Sequence, residues 1–111
     1  MRIEELTPVQ TRALAEAEQG LLIVDCRESF ELSRARLPEG PETWVHIPLG
    51  QLEDRAEELD PSLPVVVMCH HGIRSMQGAY VLMLQGFERV WSMRGGIELW
   101  ATSVDAEVGR Y

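Results

Sequence analysis

The sequence lacks any apolar stretch long enough to cross a membrane. Its uninterrupted apolar runs, such as those at residues 21–24 and 65–69, are far shorter than the ~20 residues of a membrane-spanning helix. Residues 1–8 also lack the basic segment and the following apolar segment of a secretory signal. We therefore expect no membrane partner and a cytoplasmic location.

Cysteine is scarce, with only Cys26 and Cys69 in the chain. In a chain without a secretory signal, cytosolic thiol buffers keep cysteines reduced rather than paired in a disulfide. The sequence therefore permits a reactive thiol.

Positive charge is also scarce, because ten arginines and no lysine stand against 18 acidic residues, for a net charge of -8. Binding to a phosphate backbone requires a concentrated basic face, so we expect no nucleic-acid partner. A site for a small anion would have to be built locally, from backbone amides and one or two arginines.

The length of 111 residues predicts one domain, with a core at about 6–101 and a tail at 103–111 that lies along the surface. Periodic apolar residues, caps and breakers predict helices at 7–20, 29–36, 49–59 and 76–87 and after Gly95-Gly96, and a loop at 37–41. Apolar runs predict strands at 21–24, 44–47, 65–68 and 90–91. This alternation is typical of an α/β fold with a mostly parallel sheet and helices on both faces.

Cys69 stands at the end of an apolar strand, in the segment Val-Val-Val-Met-Cys-His-His-Gly-Ile-Arg-Ser. Parallel sheets bind ligands beyond the carboxyl ends of their strands. Gly72 permits a tight turn in which backbone amides face the sulfur, and the next helix start and Arg74 add positive charge. A cysteine in such surroundings is a nucleophilic thiolate at neutral pH. The alternative is a small buried core residue, which the polar segment after Cys69 disfavours.

The two histidines after this cysteine do not predict a metal site. His70 and His71 are adjacent, which does not match the usual spacing of zinc ligands, and no second cluster supplies the remaining ligands. We expect one of the two to line the mouth of the site and the other to be structural, with both assignments open. His46 is predicted to be a partly buried strand residue.

Four ordered motifs resemble the rhodanese family, the single-domain thiosulfate sulfurtransferases and their relatives. Leu-Ile-Val-Asp-Cys-Arg-Glu at 22–28 resembles the family's first signature, and His-Ile-Pro-Leu at 46–49 resembles the start of its second helix. Residues 69–75 are similar to the active-site loop. Gly-Phe-x-x-Val-Trp-Ser-Met-Arg-Gly-Gly-Ile-x-x-Trp at 86–100 resembles the closing signature. A departure at 35–40, where the chain is longer and rich in proline, bears on contacts at the substrate rim.

The resemblance implies a rhodanese-like fold of roughly five strands and an enzyme of the thiosulfate:cyanide sulfurtransferase type. It implies that Cys69 attacks the outer sulfur of a small anionic donor such as thiosulfate and becomes a persulfide. The sulfur then passes to cyanide, a thiol or a protein acceptor. No cofactor is implied.

The resemblance also implies roles for the residues around Cys69. The active-site loop consists of His70, His71, Gly72, Ile73, Arg74 and Ser75. Its amides would face the bound sulfur, and Arg74 would hold the donor. Asp25 and Arg27 match a supporting pair near the site, for which an ion pair at the strand end is the favoured interpretation.

Other functions stay open as alternatives. Phosphatases and arsenate reductases of related folds wrap an oxyanion in a Cys-x5-Arg loop, but here Ser75 is six residues after Cys69 and Arg74 is five. This shorter loop favours a bare sulfur over a phosphoryl group. A non-catalytic or sulfur-relay module that docks to a protein partner is another alternative. Cys26 is predicted to be a core residue, with resolution of an oxidised Cys69 as its alternative role.

Overall fold

The protein is built around a sheet of five parallel strands. The computed structural model describes residues 2–39 and 42–111. Its strands are β1 (Glu4–Leu6), β2 (Leu22–Asp25), β3 (Thr43–His46), β4 (Val65–Met68) and β5 (Val90–Met93). They are ordered β1-β5-β4-β2-β3, and every neighbouring pair is parallel. The predicted α/β fold with a parallel sheet is confirmed.

Four helices cover the sheet: α1 (Pro8–Ala17), α2 (Leu49–Arg55), α3 (Arg74–Leu84) and α4 (Gly96–Ser103). Helix α1 starts where the sequence predicts it. In the structure, Thr7 and Gln10 form a capping box at this start. The Thr7 hydroxyl accepts from the Gln10 amide at 3.1 Å, and the Gln10 side chain accepts from the Thr7 amide at 2.9 Å. Pro8 follows as the first helical residue.

Apolar side chains form one core on each face of the sheet. The first core includes Val24, Ile47, Leu52, Val65, Val67, Ala79, Leu82 and Phe87. The second includes Ile23, Leu37, Val66, Met68, Met93, Ile97, Trp100 and Val108. Successive residues of β4 alternate between the two cores, so both faces of this strand are covered. This burial explains the uninterrupted apolar run at 65–68.

The strand register brings three chain segments to one edge of the sheet. Asp25 at the end of β2 is the register partner of Met68 at the end of β4, and β5 pairs with β4 on its other side. Because all three strands run in the same direction, their carboxyl ends lie side by side. Cys69 is the first residue beyond β4 and lies at this edge.

Some elements differ from the sequence prediction. Strand β1 was not predicted, because its residues Glu-Glu-Leu have low strand propensity and form a strand only through pairing with β5. The helix expected at 29–36 is a 3-10 helix at Ser29–Ser33. The helix expected at 49–59 ends at Arg55 and continues as a 3-10 turn at Ala56–Glu58. Of the loop predicted at 37–41, residues 40 and 41 lie outside the described residues.

Residues 103–111 are packed more tightly than the surface tail that the sequence predicts. They contain a 3-10 helix at Ala106–Val108, and Val108 is buried in the second core. The amide of Arg36 donates to the carbonyl of Val108 at 3.0 Å. No helix in the described part of the chain is long and apolar enough to span a membrane.

Candidate active site

The sulfur of Cys69 lies in a cage of backbone amides. The amide of Gly72 donates to Sγ at 3.0 Å, and the amide of Ser75 donates to it at 3.3 Å. Ser75 is the second residue of α3, so its amide is one of the free donors at a helix start. Cys69 is only 1% exposed. Two amides and the positive end of α3 therefore face one buried sulfur, where they stabilise negative charge.

The cage depends on the backbone conformation of Gly72. Its φ is +103°, which side-chain-bearing residues rarely adopt. A Cβ at this position would lie 3.1 Å from the Gly95 nitrogen and 3.2 Å from the Met93 carbonyl oxygen. Gly72 therefore lets the loop turn its amide toward Cys69 while it packs against the segment after β5.

The start of α4 holds the other side of the same loop. The amide of Ile97 donates to the Cys69 carbonyl at 2.9 Å, and the amide of Glu98 donates to the His70 carbonyl at 3.1 Å. Gly96 permits this approach, because a Cβ there would collide with both carbonyl oxygens. The Gly-Gly pair of the closing motif therefore has a direct structural role in holding the loop.

A pair of serine hydroxyls completes the surroundings of the sulfur. The Oγ of Ser75 lies 3.4 Å from Sγ of Cys69 and 2.7 Å from Oγ of Ser92. Both serines are completely buried. Sequence analysis did not single out Ser92, which lies in β5 within the closing motif and has no distinctive local pattern.

Arg74 forms an ion pair with Glu31 beside the loop. Its Nη1 and Nη2 donate to the two carboxylate oxygens at 2.7 and 2.8 Å. The carboxylate also accepts from the amide of Glu28 at 2.8 Å. These bonds, above all those from Arg74, lower the pKa of Glu31 to about 2. Sequence analysis did not single out Glu31, because it lies 43 residues from Arg74 and no local pattern links them.

Asp25 and Arg27 form a buried ion pair at the end of β2. Arg27 donates from Nε and Nη2 to the two carboxylate oxygens at 2.9 and 2.8 Å, and both side chains are completely buried. This is the strand-end ion pair that the sequence favours. Arg27 also donates from Nη1 to the hydroxyl of Tyr111 at 3.1 Å, which sequence analysis did not assign to the site.

The two loop histidines have different surroundings. His71 is exposed, whereas the ring of His70 is half-buried and stacks on His71 at 3.9 Å between ring centroids. Burial and the neighbouring His71 lower the pKa of His70. Within residues 2–39 and 42–111, Nε2 of His70 has no hydrogen-bond partner. His71 is therefore the more exposed of the two histidines, and His70 is the more buried.

The remaining predicted residues, Ile73, His46 and Cys26, all lie in the described part of the chain and form no hydrogen bond with the sulfur. Ile73 is 78% exposed and precedes α3. His46 is half-buried and bonds through Nε2 to the Arg27 carbonyl at 2.6 Å. Cys26 is buried in the same core cluster as Cys69, and its thiol pKa is raised to about 12, chiefly by burial. A thiol with this pKa is neutral at physiological pH and a poor nucleophile.

Metal ligands are not clustered in this part of the molecule. Across the described ranges 2–39 and 42–111, no group of three or more His, Cys, Asp or Glu side chains is arranged to hold a metal ion. The site consists of a sulfur, backbone amides, hydroxyls and ion pairs.

Comparison with known proteins identifies this arrangement. Residues 7–103 match the family described as Rhodanese-like domain. The chain is 36% identical over 104 residues to thiosulfate sulfurtransferase GlpE of Pseudomonas syringae pv. syringae (strain B728a), covering 94% of this chain and 92% of that protein. It is 38% identical over 99 residues to thiosulfate sulfurtransferase GlpE of Glaesserella parasuis serovar 5 (strain SH0165), covering 89% and 87% of the two chains.

A solved structure supports the same assignment. The crystal structure of reduced Bacillus anthracis CoADR-RHD matches 98% of this chain with a TM-score of 0.78 and 28% identity, and the match covers 18% of that longer chain. The four motifs, the parallel sheet and the cysteine loop thus agree with both comparisons. The chain belongs to the rhodanese-like domain family and is a sulfurtransferase of that family.

Proposed function

We propose that the protein transfers sulfane sulfur through a persulfide on Cys69. The observation that carries this proposal is the pair of amide donors, from Gly72 and Ser75, that point at a single buried sulfur. Backbone amides and a helix start stabilise a thiolate, and they stabilise the anionic persulfide for the same reason. The proposed scheme uses the Cys69 thiolate as the nucleophile and invokes no side-chain base.

The first half-reaction loads the sulfur. The Cys69 thiolate attacks the outer sulfur of thiosulfate, a new S–S bond forms, and the S–S bond of thiosulfate breaks to release sulfite. In the second half-reaction, cyanide or an acceptor thiolate attacks the outer persulfide sulfur. Thiocyanate or an acceptor persulfide leaves, and the Cys69 thiolate is restored.

Within residues 2–39 and 42–111, Arg74 donates only to Glu31 and keeps N–H groups with which to bind the anionic sulfur donor. A guanidinium carries five N–H groups, and the two bonds to Glu31 use only two of them. The ion pair fixes the direction of the guanidinium plane, so the remaining N–H groups are held in place at the side of the loop. We assign Arg74 to donor binding and Glu31 to the orientation of Arg74.

The sulfur acceptor must reach the outer sulfur of a persulfide on a buried cysteine. Cys69 is almost completely buried, but a persulfide extends its reactive atom by one S–S bond of about 2 Å. We therefore expect an acceptor with a small or protruding nucleophile, such as cyanide, a low-molecular-weight thiol or a cysteine on a protein. The net charge of -8 disfavours nucleic acid as a partner.

We place the protein in the cytoplasm. Cys26 and Cys69 are both unpaired, which fits a compartment where thiols stay reduced. A reduced Cys69 is required for the first half-reaction.

Intact-mass spectrometry after incubation with thiosulfate tests the proposal. The wild-type protein should gain one sulfur, and cyanide should then remove it with formation of thiocyanate. Cys69→Ser should gain none. Cys26→Ser is the matched control, because it removes the other buried thiol, and it should still gain one sulfur.

Two results would reject the proposal. One is a wild-type protein that gains no sulfur from thiosulfate or from a low-molecular-weight persulfide. The other is sulfur loading that survives in Cys69→Ser and disappears in Cys26→Ser. Hydrolysis of p-nitrophenyl phosphate in the absence of sulfur loading would favour the phosphatase alternative.

A further inference from the structure

Tyr111 connects two ion pairs of the candidate active site. Its hydroxyl accepts from Nη1 of Arg27 at 3.1 Å and donates to Oε1 of Glu31 at 2.8 Å. Glu31 in turn binds Arg74 through both carboxylate oxygens. The hydroxyl therefore helps to orient the carboxylate that orients Arg74.

The ring of Tyr111 also contacts the cysteine loop. It stacks on the ring of His70, with 3.7 Å between the centroids and 7° between the planes. His70 follows Cys69 directly, and its ring stacks on His71 on the other side. His70 is thus the middle ring of a three-ring stack, and His71 and Tyr111 are the two outer rings.

The segment that carries Tyr111 is itself anchored. Val108 is buried in the second core and its carbonyl accepts from Arg36, while the amide of Asp105 donates to the carbonyl of Trp100 at 3.0 Å. These contacts fix the backbone before Tyr111 and limit the entropy lost when its ring stacks. The ring is consequently held in place on the site.

We propose that Tyr111 is a positioning residue for the sulfur-transfer reaction. Its hydroxyl holds Glu31, and thereby Arg74, in the orientation that binds the sulfur donor, and its ring holds His70 and the start of the cysteine loop. Tyr111 does not contact the sulfur, so it acts through Arg74 and the loop. This inference rests on the proposed function of Cys69.

Kinetics of two substitutions separate the hydroxyl from the ring. Tyr111→Phe keeps the stack and removes the two hydrogen bonds, so KM for thiosulfate should rise about three- to tenfold with kcat nearly unchanged. Tyr111→Leu also removes the stack, so kcat should fall in addition by about three- to tenfold as the loop loses its support. Thiocyanate formation at varied thiosulfate concentrations measures both constants.

Tyr80→Phe is the matched control, because Tyr80 is 44% exposed on α3 and is the only other tyrosine in the chain. It should keep the wild-type KM and kcat. Thermal unfolding of each variant sets an assay temperature at which all are folded. If Tyr111→Leu does not fold, the KM of Tyr111→Phe decides the matter.

The inference is overturned if Tyr111→Phe has the wild-type KM, whether its kcat is unchanged or falls. In either case the sulfur loading of Cys69 is measured separately. A wild-type protein that gains sulfur, together with an unchanged Tyr111→Phe, rejects the role of Tyr111 alone. A wild-type protein that gains no sulfur rejects the proposed function itself.

Discussion

The amide of Gly72 lies 3.0 Å from the sulfur of Cys69, in a turn whose φ of +103° only glycine adopts without strain. The turn explains why a loop of five residues between β4 and α3 can direct backbone amides at the side chain of its first residue, Cys69. The cage is a property of the backbone, so it depends on conformation more than on the chemistry of the loop side chains.

Gly72→Ala should abolish sulfur loading of Cys69. The new methyl group would force φ out of its present range and press on Gly95 and Met93, which moves the amide away from the sulfur. The strain should also lower the free energy of unfolding by about 1–2 kcal/mol. Intact-mass spectrometry measures the loading, and urea unfolding measures the stability.

Gly86→Ala provides the control for this strain. Gly86 has a similar φ of +96° but no atom near the position of a Cβ, and it lies beyond the far end of α3. It should lose similar stability and keep full loading. A folded Gly72→Ala protein that loads sulfur at the wild-type rate would contradict the role of the turn.

Arg74→Ala should weaken the use of thiosulfate. It removes a charge-assisted hydrogen bond to the donor, worth about 1.5–3 kcal/mol, so kcat/KM for thiosulfate should fall at least about tenfold. Arg55→Ala is the matched control, because Arg55 at the end of α2 forms an exposed pair with Glu58 of the next 3-10 turn and such pairs contribute little. Wild-type thiosulfate kinetics in Arg74→Ala would remove Arg74 from donor binding.

The Glu31 carboxylate should make stability depend on acid pH. Its pKa is lowered to about 2 in the folded protein, chiefly by Arg74, whereas an ordinary glutamate titrates near 4.5. The unfolded chain therefore takes up a proton first as the pH falls. The stabilisation is complete well above pH 4.5 and is lost progressively toward pH 2, with a total of about 3 kcal/mol for pKa values of 4.5 and about 2.

Urea unfolding at pH 7 and pH 3 measures this effect in the wild type and in Glu31→Gln. The difference in unfolding free energy between the wild type and Glu31→Gln should be smaller at pH 3 than at pH 7. In an Arg74→Ala background the shrinkage should largely disappear, because the main cause of the lowered pKa is gone. An equal difference at both pH values, with Arg74 present, would show that the ion pair does not hold the carboxylate ionised.

The sequence by itself determined the fold class, the strand that ends at Cys69 and the loop that surrounds the sulfur. These features are local: apolar runs mark buried parallel strands, Thr7 and Pro8 mark a helix start, and one glycine after the cysteine marks a turn. Resemblance of four motifs to one family rests on the same local information. A reader of the sequence can therefore locate the proposed nucleophile without coordinates.

Only the tertiary structure decided which residues orient Arg74 and the loop. Glu31 and Tyr111 lie 43 residues before and 37 residues after Arg74, and their hydrogen bonds exist only because the folded sheet brings distant segments to one edge. Strand β1 likewise exists because β5 supplies its partner. Such contacts depend on the whole chain packing around one sheet, and no local pattern of residue types encodes them.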